Sequence, residues 1–286
     1  MKAFRKLLIP YLIWGSFIIV IPMLLIVVYA FSRPGNNVVA LTFTFDNFLR
    51  FFTDQVFLSV LIKSLRIAFV TTVVSFIIGY PVAYAIAKRS ERQQLMLILL
   101  ITIPMWINTL IRTYSWISVL GDFGIINNIL MFFNLKPLTM MYTEFAVQLG
   151  MVYNFLPFMI IQVYTSLAKM DQSLIDASYD LGANRFETFM RVVFPLSLPG
   201  VISGITLVFL PAVSTFSIPA LLGGGQYALI GSLIEKQFIN VGDWNFGSAI
   251  SLIMALIIMA SMYLTQYFDT DKTIIKKEEN NGSAQA

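Results

Sequence analysis

The sequence predicts an all-α polytopic membrane protein with six transmembrane helices. Of its 286 residues, 58% are hydrophobic and 12% are charged, whereas a soluble domain usually has about 25% charged residues. Uncharged runs of roughly 20 residues, the length that crosses a hydrocarbon layer of about 30 Å, recur along the chain. The chain contains no Cys and no His, which excludes thiol chemistry, histidine acid–base catalysis and zinc or haem ligation.

The first predicted span covers residues 7–31. Lys2, Arg5 and Lys6 precede this uncharged run, which is longer than the apolar region of about 7–15 residues in a signal peptide. No cleavage site of the small-x-small type follows the run. We therefore expect a retained first helix.

Five further spans are predicted at about 62–87, 95–118, 145–168, 195–213 and 246–268. The uncharged run Val192–Ile234 could hold one span or two, because Pro211 and Pro219 interrupt it. Six spans in total keep most basic residues, including the lysines of the C-terminal tail, on the cytoplasmic side, as the positive-inside rule expects. We therefore predict one span in this run, a broken outer segment at Ser214–Gly225, and both termini in the cytoplasm.

The other segments are interpreted from their composition. Residues 1–270 are predicted to form a single transmembrane domain, and the charged tail 271–286 is predicted to be disordered. The outer segment 32–59 is rich in phenylalanine, which fits either an interfacial helix at headgroup depth or a docking ledge for an external partner. The net charge of +4 is attributed to membrane topology, so the expected partner is the lipid bilayer and not nucleic acid.

The cytoplasmic loop 169–194 is predicted to contain two short helices. In the first, Ser173 with Asp176 has the spacing of an N-terminal cap, and Gly182 stands where a helix ends in the left-handed conformation. One interpretation is an amphipathic connector that lies flat on the membrane. The alternative is a protruding helix that enters a groove of a partner, because the predicted face has small side chains: Ala177, Ser178, Gly182 and Ala183.

The second predicted helix of the loop leads back to the membrane. Asn184 with Glu187 has the spacing of a second N-terminal cap, and an apolar face follows at helical spacing. Pro195 and Pro199 are then expected to bend the chain into the next span.

This loop resembles the EAA loop of ABC importer permeases. The pattern of that family is Glu-Ala-Ala, a Gly a few residues on, and a hydrophobic-x-Leu-Pro ending. Here it reads Asp176-Ala177-Ser178, then Gly182, then Leu196-Ser197-Leu198-Pro199, with Asp for Glu and Ser for the second Ala. The resemblance implies the type I importer fold and a coupling helix that contacts a cytoplasmic ATPase through Asp176, Ala177, Ser178, Leu181, Gly182, Ala183 and Pro199.

Along nearly its whole length the chain is similar to the first permease subunit of spermidine/putrescine importers, notably at Ile103–Trp116, Tyr153–Asp171 and Pro219–Ala249. The resemblance implies a bacterial cytoplasmic membrane protein that works as half of a permease heterodimer. Its other partners would be two copies of an ABC ATPase, which bind ATP and Mg, and an external polyamine-binding protein. No G-x-x-x-x-G-K-[ST] motif occurs, so we expect no cofactor on this chain and no ATPase activity of its own.

A linear polyamine needs carboxylates or carbonyls for its ammonium groups and aromatic faces for cation–π contacts. The candidate residues of a substrate path are the acids Asp122, Glu144, Glu235 and Asp243, and the aromatic and amide residues Trp106, Asn108, Tyr114, Tyr153 and Asn154. The two amides are the better candidates, because an uncharged polar group in a span is costly to expose to lipid.

Arg112 lies within the third predicted span and does not suit a simple cation pore. It could pair with Glu144 or Asp122, or point out to the interface. In addition, Pro219-Ala220 stands where permeases of this family often have an acid before Leu-Gly-Gly. Both features keep an alternative open, a permease of the same superfamily for thiosulfate, iron or another anion. An intramembrane enzyme is disfavoured, because no span holds His, Cys or paired carboxylates.

Overall fold

The computed structural model describes residues 2–33 and 42–267. Most of these residues lie in α-helices. The long helices are α1 (Lys2–Ala30), α3 (Gln55–Ala87), α7 (Glu144–Ala168), α10 (Phe194–Ser214) and α13 (Trp244–Tyr267). The short ones are α2 (Asp46–Thr53), α4 (Glu91–Thr102), α5 (Thr109–Leu120), α6 (Ile125–Phe132), α8 (Gln172–Asp180), α9 (Arg185–Thr188), α11 (Ser217–Leu222) and α12 (Ile230–Glu235). A 3₁₀ turn at Ile103–Trp106 and π-helical turns at Phe189–Val193 and Lys236–Val241 complete the described helical structure.

Five helical segments of the described residues are long and apolar enough to cross a membrane: Gln55–Ala87, Thr109–Phe132, Glu144–Ala168, Arg185–Ser214 and Trp244–Tyr263. A shorter apolar stretch of α1, Trp14–Ala30, stands at the place of the predicted first span. The predicted all-α polytopic membrane architecture is confirmed. The predicted tail 271–286 lies outside the described residues.

Helices α3, α7 and α10 form the centre of the bundle, and α1 packs on α13. The backbones of α7 and α10 approach closely because α10 carries glycine at the contact. A Cβ atom added to Gly200 would lie 2.5 Å from Cβ of Ser166, and one added to Gly204 would lie 2.6 Å from Sδ of Met159. Small residues of this kind allow close packing between membrane helices, where dispersion contacts drive association.

Side-chain hydrogen bonds also join these central helices. The hydroxyls of Tyr80 on α3 and Ser197 on α10 are 2.8 Å apart. The amide of Gln148 on α7 donates to the hydroxyl of Thr71 on α3 at 2.8 Å. Because an unsatisfied polar group is costly in an apolar surrounding, these bonds help to fix how α3 packs on its two neighbours.

The bundle has two ends, the loop end and the far end. The loop end contains α8, α9 and the C-terminal ends of α3 and α7. The far end contains α2, α11, α12 and the N-terminal ends of α3, α7 and α13.

The predicted span 95–118 differs from the structure, which divides this region into two helices. Helix α4 passes into the 3₁₀ turn, and the chain is extended at Ile107 before α5 begins. Pro104 lacks an amide hydrogen and cannot continue the α-helical hydrogen bonds. Asn108 then starts a new helix, since its side-chain oxygen accepts a hydrogen bond from the amide of Leu110 at 2.8 Å. The prediction of one continuous helix here is therefore wrong.

The described part of segment 32–59 contains the short helix α2 and the start of α3. The side chain of Asn47 donates to the carbonyls of Ala30 and Ser32 at 2.9 and 3.0 Å. Asn245 donates to the carbonyls of Tyr29 and Ser32 at 3.1 and 2.9 Å. These side-chain amides join the end of α1 to α2 and α13 and so fix the position of α2 at the far end.

Candidate functional site

At the loop end, α8 begins two residues earlier than the cap predicted at Ser173 implies. The cap is Asp171, whose carboxylate accepts a hydrogen bond from the amide of Ser173 at 2.9 Å; the predicted cap at Ser173 is wrong. Asp and Ser are both good N-cap residues, and here the earlier one takes the role. Hydrogen bonds from the amide and the side chain of Ser173 lower the pKa of the Asp171 carboxyl below its ordinary value.

Gly182 ends α8 in the left-handed conformation, with φ of +85°, as predicted. Its amide donates to the carbonyl of Tyr179 at 2.9 Å, and the next amide, of Ala183, donates to Ser178 at 3.0 Å. A Cβ atom at Gly182 would meet no atom within 4 Å. The backbone conformation, and not lack of space, therefore requires glycine here.

The predicted capping box of the second helix is also confirmed. The side-chain oxygen of Asn184 accepts hydrogen bonds from the amides of Phe186 and Glu187, both at 3.0 Å. In return, the carboxylate of Glu187 accepts from the amide of Asn184 at 3.0 Å. These reciprocal bonds satisfy amides that would otherwise lack partners at the helix start.

The second helix is not a separate element. The segment Arg185–Ser214 is helical throughout its 30 residues, with the π-helical turn Phe189–Val193 joining α9 to α10. A π-helical turn changes the hydrogen-bond register, and Pro195 then falls at the start of α10, where its missing amide hydrogen is tolerated. Pro195 and Pro199 therefore do not interrupt the helix, and the loop is continuous with a central helix of the bundle.

The structure divides the seven predicted ATPase-contact residues into two groups. Those exposed at the tip of the loop are Asp176, Ala177, Leu181 and Gly182. Ser178 is buried, where it donates to the carbonyl of Ile175 at 2.7 Å and is 2.9 Å from the hydroxyl of Thr188. Ala183 is half-buried, and Pro199 lies within α10.

Ser178 thus joins α8 to α9 and is not part of the exposed face, so its predicted place on that face is wrong. Phe186, in the first turn of α9, is also exposed, with 72% of its surface accessible. Leu181, also at the tip, is 89% exposed. The tip of the loop therefore presents an apolar surface, beside the carboxylate of Asp176, to whatever lies beyond this end of the bundle.

At the far end, two of the four predicted path acids are bound in ion pairs. Glu144 on α7 contacts Arg66 on α3 at 2.6 Å, and Asp243 contacts Arg50 of α2 at 2.8 Å. The guanidinium of Arg50 also lies over the ring of Phe246, 4.1 Å from its centroid. Of the other two acids, Asp122 is exposed and Glu235 is half-buried; neither has an ion-pair partner among residues 2–33 and 42–267.

The predicted aromatic and amide residues of the path are spread over three elements. Trp106, in the 3₁₀ turn before α5, is 87% exposed, and Tyr114 on α5 is exposed as well. Tyr153 packs edge-to-face on Trp116 at 5.3 Å. The side-chain oxygen of Asn108 caps α5 as described above, and Asn154 on α7 is half-buried.

Arg112 has neither of the acid partners considered from the sequence. Its Nη2 atom donates to the hydroxyl of Thr109 at 3.2 Å. Its Nε and Nη1 atoms are buried and have no hydrogen-bond partner within the described part of the chain. Of the alternatives considered from the sequence, pairing with Glu144 or Asp122 is therefore not observed.

The broken segment predicted after α10 is confirmed at the far end. Helix α10 ends at Ser214, and the short helix α11 is followed by three glycines. The amide of Tyr142 donates to the carbonyl of Leu222 at 3.0 Å. The buried hydroxyl of Ser64 on α3 accepts from the amide of Ile230 at 2.8 Å. The first bond ties the broken segment to the chain just before α7, and the second ties the start of α12 to α3.

Comparison with known proteins relates this arrangement to transport. Residues 75–273 match the family described as "Binding-protein-dependent transport system inner membrane component". The chain is 36% identical, over 93% of its length and 97% of the relative's, to the spermidine/putrescine transport system permease protein PotB of Escherichia coli K12. It is also 36% identical to PotB of Haemophilus influenzae, over 93% of both chains.

A solved structure shares the fold. The chain aligns with a TM-score of 0.79, over 94% of its length and 95% of the other chain, to a bacterial ABC transporter involved in the import of the acidic polysaccharide alginate. The sequence identity to that protein is 16%, so the likeness concerns the fold alone. The family match and the PotB relatives together show that the chain belongs to the binding-protein-dependent transport system inner membrane components, multi-pass proteins of the bacterial inner membrane.

Proposed function

We propose that the chain is the permease subunit of an ATP-driven importer and forms half of the path for polyamines such as spermidine and putrescine. The observation that carries this proposal is the 36% identity to relatives named as spermidine/putrescine permeases over 93% of the chain. An external binding protein would deliver the solute, and a second permease subunit would complete the path. Two copies of a cytoplasmic ATPase would bind ATP and Mg, since the chain lacks a phosphate-binding loop.

The loop end is assigned to the cytoplasm, and both termini with it. This assignment rests on the basic residues around the loop end, which the positive-inside rule places on the cytoplasmic side: Lys88, Arg89, Arg92, Lys169, Arg185 and Arg191. The exposed tip, with Asp176, Ala177, Leu181 and Gly182, is then the surface that contacts the ATPase. Its apolar side chains suit burial in a cleft of that partner.

Movement of the ATPase would reach the path through rigid contacts. The hydroxyls of Ser178 and Thr188 hold α8 on α9, and α9 continues into α10 without a break. Helix α10 in turn packs closely on α7 at Gly200 and Gly204. A displacement of the loop is therefore transmitted to the central helices, because packed interfaces move as units rather than deform gradually.

In this chain the polyamine would bind the acids and aromatic faces that have no other partner. Of the four candidate path acids, Glu235 and Asp122 are those without an ion pair in the described residues, and Trp106 and Tyr114 have exposed rings. Glu144 and Asp243 would take part only if an ammonium group replaced the arginine that each now binds. An ammonium group over an aromatic ring contributes about 0.5–2 kcal/mol.

Uptake by a strain that lacks this gene, with and without the gene restored, tests the proposal. We expect restoration to recover spermidine and putrescine uptake and to leave thiosulfate and iron uptake unchanged. Recovery of an anion in place of polyamines would overturn the substrate assignment. The buried, unpaired nitrogens of Arg112 are the observation that favours an anion as the second candidate.

A further inference from the structure

A cavity of about 400 Å³ lies at the loop end between the bundle and the loop. The ends of α3 and α7 form one side of it, and α8 with the start of the helix Arg185–Ser214 forms the other. The cavity is separate from the exposed tip of the loop. Of the coupling residues discussed so far, only Thr188 lines it, and none of the predicted path residues does.

The charge of the cavity lining is entirely positive. Lys88 and Arg185 line it, and no carboxylate does. Within the described part of the chain neither cation belongs to an ion pair. The ammonium of Lys88 lies 4.2 Å from the ring centroid of Tyr84, a contact that leaves its N–H groups available to an acceptor.

Further donors surround the same space. The hydroxyl groups of Tyr84 and Tyr179 belong to lining residues and make no hydrogen bond within residues 2–33 and 42–267. The nearest carboxylate along the second helix, Glu187, is held in the capping box by the amide of Asn184. The cavity thus offers two cations and two hydroxyls to a ligand with several acceptor oxygens, and a phosphate group fits this set.

Most of the remaining lining is apolar, with Gln172 and Thr188 as the polar exceptions. The apolar residues are Ala87, Leu167, Met170, Ile175 and Val193. Ala87 and Leu167 lie at the ends of membrane-crossing helices. A phosphate that enters from water gains nothing from these side chains, whereas a phospholipid can place its glycerol and upper acyl carbons against them. Basic pockets between membrane helices on the cytoplasmic side are suited to anionic lipid headgroups.

We propose that this cavity binds the phosphate group of an anionic phospholipid of the cytoplasmic leaflet. The inference rests on the orientation given under the proposed function, but not on the identity of the solute. The lipid phosphate bridges Lys88 at the end of α3 and Arg185 at the start of the second loop helix. It thereby braces the loop against the bundle, so that coupling between the ATPase and the path depends on anionic lipid.

The test uses the complete transporter in nanodiscs made of phosphatidylcholine with or without phosphatidylglycerol. Retained phosphatidylglycerol is measured by native mass spectrometry, and substrate-stimulated ATPase activity is measured in parallel. We expect phosphatidylglycerol to raise the stimulated activity of the wild type. Lys88→Gln and Arg185→Gln each weaken lipid retention about fivefold, as expected for the loss of one basic residue at a lipid phosphate, and lose that rise in activity.

Matched controls are Arg89→Gln and Lys169→Gln, which remove neighbouring cations that do not line the cavity. Both should retain lipid and respond to it as the wild type does. If Lys88→Gln and Arg185→Gln retain phosphatidylglycerol, and respond to it in ATPase activity, as the two control variants do, the proposal is wrong. Inorganic phosphate added to phosphatidylcholine nanodiscs is the second arm; if it alone reproduces the rise in activity, the ligand is a soluble phosphate and the lipid assignment is wrong.

The two proposals can fail separately. Lipid retention is read by mass and does not require that any solute be transported. A transporter that carries another solute but retains phosphatidylglycerol through Lys88 and Arg185 would contradict the substrate assignment and leave the lipid site intact.

Discussion

The two ends of the bundle place their functional groups in different ways. At the loop end, neighbours in sequence fix one another: Asp171 caps α8, Gly182 ends it, and Asn184 with Glu187 starts the next helix. At the far end, charges pair over long distances along the chain, as Arg66 with Glu144 and Arg50 with Asp243 do. The loop end presents a preformed exposed tip, whereas at the far end Glu144 and Asp243 are each held by an arginine from a separate helix.

The largest effect is expected at Gly182. The left-handed conformation costs an L-residue with a side chain about 1–2 kcal/mol, with Asp at the low end. Asp also adds a charge to the apolar tip, which is the proposed ATPase contact. We expect Gly182→Asp to lower substrate-stimulated ATPase activity about tenfold, while the protein still inserts into the membrane.

Gly225 provides the matched control for this change. It has φ of +78°, and a Cβ atom there would also meet nothing within 4 Å, but it lies at the far end. Gly225→Asp introduces the same backbone strain and should leave ATPase stimulation much closer to that of the wild type. Equal losses in the two variants would mean that strain alone, and not position, explains the effect.

The next effect concerns the joint between α8 and α9. Ser178→Ala leaves the buried hydroxyl of Thr188 without its partner, which destabilises the fold by about 1–3 kcal/mol. We expect a lower melting temperature and fewer solute molecules imported per ATP hydrolysed.

The double variant Ser178→Ala with Thr188→Val removes both polar groups and tests the joint further. Stability should largely return, because no buried hydroxyl is left unpaired, while import per ATP stays low. A double variant that regains full coupling would show that the hydrogen bond does not transmit motion.

A smaller effect is expected at the far end. The Arg66–Glu144 pair is partly exposed, and exposed pairs contribute about 0–1 kcal/mol to stability. Glu144→Gln leaves an unpaired cation, so the KM for spermidine uptake should rise; Arg66→Gln frees the carboxylate, and the KM should fall. Each change should be about two- to fivefold, the range that fits 0.4–1 kcal/mol. If the KM for spermidine in both variants equals that of the wild type, this pair is not part of the path.

The smallest effect is the pH dependence of the cap at Asp171. The pKa of this carboxyl is lower in the folded protein than in the unfolded chain. Its stabilisation is therefore fully present above the unfolded pKa and is lost as the pH falls through the lower, folded value. Melting temperatures of the wild type should fall slightly more below about pH 4 than those of Asp171→Asn. A parallel fall in both proteins would contradict the role of the carboxylate.

Local chemistry explains which features could be predicted from the sequence. Gly182 and the pair Asn184–Glu187 act within a few residues, so their conformations follow from spacing alone. The same local reasoning offers both Asp171 and Ser173 as caps of α8, because both residue types cap helices well.

The features that the sequence did not predict depend on packing between separate helices. Thr188 is ten residues from Ser178, and their bond forms only because two helices fold against each other. No local pattern links Arg66 to Glu144, because 78 residues separate them along the chain. The division of the span 95–118 could be predicted locally, because Pro104 disfavours a continuous helix and Asn108 is a good helix cap. The uniform hydropathy of the region favours one span instead.

The absence of cysteine from the chain permits a direct test of the central claim, that the exposed tip of the loop contacts the ATPase. A single cysteine introduced by Ala177→Cys can be labelled with a maleimide that carries a photoreactive group, in the assembled transporter. Gly225→Cys at the far end is the control. On illumination, Ala177→Cys should cross-link to the ATPase and Gly225→Cys should not. Cross-linking to the ATPase from Gly225→Cys but not from Ala177→Cys would contradict the claim.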